Sequence, residues 1–90
     1  MENKTIKIAD AKKLAFGIED LKIFQCVDLL WIVTMRFADE RYGYGLQPVG
    51  LETFRGELRL FKTADAAIKA AKEIGFDGRI WIDFDDRLSS

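Results

Sequence analysis

Thr63-Ala-Asp-Ala-Ala-Ile-Lys-Ala-Ala-Lys-Glu-Ile-Gly-Phe-Asp-Gly-Arg-Ile-Trp-Ile-Asp-Phe84 carries two periodicities back to back. Ala64, Ala67, Ile68, Ala71 and Ile74 recur at three- and four-residue spacing, which places them on one stripe of a helix. Thr63 is suited to cap its first turn, Asp65 complements the dipole there, and Gly75 can end it in a left-handed conformation. Lys69 stands four residues from both Asp65 and Glu73, a solvent-side arrangement. The many alanines predict a helix lying close against a sheet. Beyond Asp77-Gly78 the period falls to two: Ile80, Ile82 and Phe84 alternate with Arg79, Trp81 and Asp83. A helix feeding a strand is the unit from which the rest is built.

Upstream, Leu29 to Phe37 reads as a strand rich in β-branched and aromatic residues, apolar on both faces in its first half and on one in its second. Ala38 to Gly50, with three glycines and the sole proline, reads as a loop or a broken edge. Leu51–Phe54 and Glu57–Phe61 are expected to pair as a hairpin across Arg55-Gly56. Near the start, Asp10 is placed to cap a helix with Ala11, Leu14, Ala15 and Ile18 inward, closed by Gly17. Glu19 to Phe24 then form a further turn or short helix; alternatively one longer helix runs through Gly17 at a cost of about 1 kcal/mol. Met1 to Thr5 and Arg87 to Ser90 read as frayed ends. The expected fold is α+β: an N-terminal helix, a mostly antiparallel sheet of about four strands, helix 64–74 on one face, and a final strand over 79–84. If that last strand lies parallel to a neighbour, its crossover should be right-handed.

Composition narrows the chemistry. Ninety residues make a single domain, 1–90, and a net charge of −1 gives no general excess of base for phosphate. Histidine is absent, which removes the commonest general base and zinc ligand. A lone Cys26 excludes an internal disulfide and multi-cysteine metal sites, and it reads as a small core hydrophobe. The only serines, Ser89 and Ser90, lie at the end of the chain. The longest apolar run, Leu29 to Val33, is too short for a bilayer, and no signal peptide opens the chain, so a cytoplasmic, membrane-free protein is expected.

Asp83 and Asp85 share a face of an extended segment, but two carboxylates fall short of the six or so oxygens that calcium takes. No metal site, no cofactor and no catalytic residue is expected. Gly43 and Gly45 precede Leu46-Gln-Pro48 rather than a helix, which argues against a phosphate-binding loop. The same segment offers Tyr42 and Tyr44 as contact residues or as cover for the sheet edge. Arg36, Arg41, Arg55, Arg59 and Lys62 are candidates for a local basic face that binds nucleic acid, or for a solvated face balanced by Glu52 and Glu57. Helix, three strands, helix is also the order of a double-stranded-RNA-binding domain, yet Asp65 stands where that module places a base.

Leu51-Glu-Thr-Phe-Arg-Gly-Glu-Leu-Arg-Leu-Phe-Lys-Thr-Ala-Asp-Ala-Ala67, running on to Ile74-Gly75, resembles small accessory proteins of bacterial plasmids and integrative elements. Those proteins are filed beside partition or replication genes. The resemblance covers residues 29–84, with Arg55-Gly56, Phe61-Lys62 and Asp65-Ala-Ala67 as its most specific parts. The Ala38–Gly50 segment is longer than the compact hairpin of that module. What the resemblance implies is a mobile-element accessory protein, with no catalytic residue to carry over.

Two functions are therefore expected to compete. The first is a non-enzymatic protein-binding accessory or inhibitor of a mobile genetic element, with Tyr42, Tyr44, Trp81, Asp83, Asp85 and Asp86 as partner contacts. The second is a nucleic-acid-binding accessory protein of plasmid maintenance or replication, using the five basic residues above. Trp81 also points away from the expected helix layer, so a homodimer or a heteromeric partner is expected to dock over it.

Overall fold

The computed structural model describes residues 5–38 and 47–83. Its elements are β1 (Thr5–Ile6), α1 (Ile8–Lys13), a 3-10 turn at Ala15–Gly17, β2 (Ile18–Gln25), a second 3-10 turn at Val27–Leu29, β3 (Trp31–Phe37), β4 (Val49–Leu51), α2 (Ala64–Ile74) and β5 (Ile80–Asp83). The strands form one sheet in the order β1-β4-β3-β2-β5. β1 runs parallel to β4 and β5 parallel to β2, whereas β3 is antiparallel to both of its neighbours. The α+β class stands, but the sheet is a mixed one of five strands rather than a mostly antiparallel one of about four.

The helical reading of Glu19 to Phe24 is overturned: these residues lie in β2. The cause is a β-bulge. Ile18 pairs with Phe37 and Asp20 with the adjacent Arg36, so Glu19 is an extra residue with no partner across the ladder. The bulge leaves Ile18 and Leu21 both buried three positions apart, which imitates a helical stripe. From Asp20 onward the alternation is that of a strand. The first helix is correspondingly shorter and earlier, Ile8–Lys13. Its N-cap is Lys7 without a side-chain hydrogen bond, so Asp10 lies inside the first turn rather than capping it. Gly17 is buried in the 3-10 turn and is not among the positive-φ residues, so it does not close a helix in the left-handed manner. Thr5, read as a frayed end, opens β1.

β3 starts at Trp31 rather than Leu29, because Asp28 and Leu29 take positive φ of 67° and 63° to turn the chain out of β2. The Cys26 amide donates to the Leu30 carbonyl across that turn, 2.8 Å, and the Cys26 thiol donates to the same oxygen. The hairpin after β4 also differs from expectation. Thr53 donates to the Glu57 carbonyl, Gly56 donates to the Thr53 carbonyl at 3.0 Å, and Gly56 takes φ 83°. That is a three-residue loop with glycine in its left-handed position, not a two-residue one. Among the described residues its return limb pairs through the isolated bridges Glu52 with Leu58 and Trp31 with Phe61, and the Arg59 amide donates to the Leu51 carbonyl.

α2 matches the expected helix, Ala64–Ile74. The Ala66 amide donates to Thr63 Oγ1 at 3.1 Å, and Gly75 closes the helix at φ 90°. Loss of that cap in Thr63→Ala should cost about 1 kcal/mol, read as a lower urea midpoint at unchanged slope. Ala67, Ala70, Ala71 and Ile74 pack with Ala11 of α1 against Leu21, Ile23, Val33, Met35 and Phe37, so both helices cover one face of the sheet. Alanine is what the close approach requires. The opposite face carries Asp20, Lys22 and Phe24 of β2, Ile32, Thr34 and Arg36 of β3, Gly50 of β4, and Trp81 and Asp83 of β5, as the registers dictate.

Candidate functional site

Side chains on the face that neither helix covers, the open face, fall into two zones. Nearest β4, Phe24 and Ile32 are cross-strand neighbours, and Leu58 of the hairpin lies over Gly50, where a Cβ would meet its Cδ1. This small apolar patch leaves Ile32 only 8% exposed although it is outside the helix-side core. Toward β5 the surface is polar and open. A depression of about 350 Å³ is lined by Asp20, Lys22, Thr34, Arg36, Pro48, Trp81 and Asp83.

Two cross-strand ion pairs organise that depression. Arg36 Nη2 donates to Asp20 Oδ2 at 2.7 Å, between residues directly opposed in the ladder. The hydrogen bond from Asp20 first, and its charge second, raise the Arg36 guanidinium further above its ordinary pKa. Lys22 Nζ lies 2.8 Å from Asp83 Oδ2, a diagonal pair, since Lys22 is opposed by Trp81 and Phe24 by Asp83. Trp81 sits beside these pairs on the outermost strand with 52% of its surface exposed. The Arg79 guanidinium lies over its ring, 5.5 Å from the centroid.

The expected site residues are distributed unevenly over this geometry. Trp81, Asp83 and Arg36 are brought together on the uncovered face. Arg55 is exposed in the hairpin turn, and Lys62 is exposed just before α2. Arg59 lies elsewhere: its guanidinium is 4.8 Å from the centroid of Phe61, a helix-side core residue, beside Ala66, Lys69 and Glu73 of α2. Arg36 and Arg59 therefore do not share a face. Tyr42, Tyr44, Arg41, Asp85 and Asp86 lie outside the described residues. Trp31 is 6% exposed and belongs to the helix-side core.

Asp20 and Lys22 were missed by sequence reasoning, although both line the depression. The signal was present as Asp20-Leu-Lys-Ile23, polar and apolar by turns, and the bulge at Glu19 concealed it. Among the described residues no group of three or more His, Cys, Asp and Glu could hold a metal ion. No helix among them is long and apolar enough to cross a membrane. Comparison with protein-family models, curated proteins and solved structures finds no match to this chain.

Proposed function

We propose that this chain is a non-enzymatic protein-binding module, an accessory or inhibitor of a mobile genetic element, that holds its partner on the open face of its sheet. The observation that carries the reading is Trp81, half-exposed beside two oriented ion pairs on a face that neither helix covers. Tryptophan supplies a large apolar contact at little entropic cost, and Arg36 with Asp83 supplies directional polar contacts around it. The mobile-element part rests on the resemblance of residues 29–84 alone.

The nucleic-acid reading has less support. It needs a continuous positive face, whereas Arg36 is neutralised by Asp20 and faces away from Arg59.

Affinity purification from the native cell is the test. A stoichiometric protein partner should be retained by the unaltered chain, and Trp81→Ala should weaken its binding by about thirtyfold or more with the circular dichroism spectrum unchanged. Recovery of no stoichiometric protein, or a partner held equally well by Trp81→Ala, would refute the reading.

A further inference from the structure

β5 is the last strand of the sheet, and among the described residues no strand pairs with its outer edge. An open edge presents unpaired backbone donors and acceptors, and natural sequences usually blunt it with charge or proline at its centre. Here the centre is apolar. Trp81 is 52% exposed on one face of the strand and Ile82 is 41% exposed on the other. The charges stand at the two ends instead, Arg79 before the strand and Asp83 at its close, with opposite signs.

Arg79-Ile-Trp-Ile-Asp83 is self-complementary when read against itself in the antiparallel sense. With a two-fold axis through Trp81, Arg79 of each copy opposes Asp83 of the other, Ile80 opposes Ile82, and the two Trp81 side chains meet. Directly opposed residues of antiparallel strands share a face, so the ion pairs flank the tryptophans on the open side. The isoleucines meet on the helix side, where Ile80 already packs against the core. Registers one residue away would set the apolar face of one copy against the polar face of the other. Moving the axis to Ile80 would oppose Asp77 to Asp83, like charge to like. The axis on Trp81 is the one that matches charge at both ends and apolar groups in the middle.

We propose that the occupant of this edge is a second copy of the chain, paired antiparallel through β5 about a two-fold axis at Trp81, so that two five-stranded sheets join into one. Closed two-fold pairing uses up the β5 edge of both copies, and the edge left at the far side of each sheet is β1, a strand of only two residues among those described. Asp83 keeps Lys22 as its partner within the copy, and Arg79 of the other copy approaches the same carboxylate, which accepts more than one charged donor. The proposal concerns the edge of β5 and does not rest on partner binding by the face.

Charge reversal tests the register directly. Sedimentation equilibrium of the unaltered chain should give twice the 10.3 kDa chain mass at micromolar concentration. Arg79→Asp and Asp83→Arg should each place like charges opposite one another at both ends and weaken the dimer by about tenfold or more. Mixing the two variants in equal amounts should restore dimer, since one copy then carries two acids and the other two bases. The doubly altered chain, R79D with D83R, should also dimerise by itself. Circular dichroism of each variant identifies any that fails to fold, and the mixture and the double variant then carry the decision. A chain that stays monomeric to the limit of solubility overturns the proposal, as does a dimer indifferent to both single reversals or singles not rescued by mixing. Recovery of a foreign partner by Trp81 while the chain remains monomeric would overturn this proposal and leave the face reading intact.

Discussion

Phe37→Ala should lower the unfolding free energy by about 3–5 kcal/mol, the range for truncating a buried aromatic ring. Phe37 is fully buried at the end of β3, where it opposes Ile18 across the bulged end of β2. The ladder to β2 limits how far the backbone can collapse into the space left behind. Domains of this size are stable by only about 5–15 kcal/mol, so the loss removes a large share of the total. Urea unfolding followed by far-ultraviolet circular dichroism should show a much lower midpoint with little change in slope. Arg36→Ala, one residue away on the open face, should leave the midpoint nearly where it was. A Phe37→Ala midpoint as close to the unaltered protein as that of Arg36→Ala would show that the ring is not in the core.

Ala71→Asp should be at least as damaging, about 3 kcal/mol or more. Ala71 has no exposed surface, and its methyl group lies in the seam between α2 and the sheet. The described core contains no buried polar or charged residue to receive a carboxylate. An aspartate there must either lie unpaired among hydrocarbons or push the helix off the sheet. Its side chain is too short to reach water along the helix surface, as a lysine could. Lys69→Ala, on the exposed side of the same helix, should stay within about 0.5 kcal/mol. Thermal melts of the pair make the comparison, and similar melting temperatures would mean that α2 is not seated on the sheet as described.

These two sites differ in how openly the sequence announces them. The alanine stripe of α2 was legible because spacing, the Thr63 cap and Gly75 all give the same answer. β3 and β5 were legible because β-branched and aromatic residues run through both and no bulge interrupts either of them within the described residues. β2 was not, although it is the strand that joins β3 to β5 and contributes Asp20 and Lys22 to the open face. One extra residue at Glu19 shifted its inward positions from two apart to three, and three is a helical spacing.

The sequence by itself determined the local elements whose signals agree: α2 with its caps, the alternating strands β3 and β5, a glycine turn at Gly56, and the absence of histidine chemistry. It also carried the self-complementary run from Arg79 to Asp83. Only the tertiary structure decided strand order, the parallel pairings of β1 with β4 and β5 with β2, and which side chains share a face. The physical reason is that strand pairing depends on contacts between residues far apart in the chain, which no local periodicity encodes. Arg36 and Arg59 look alike in the sequence, yet one ends against Asp20 on the open face and the other over Phe61 beside α2. Which group each guanidinium meets is chosen by the fold.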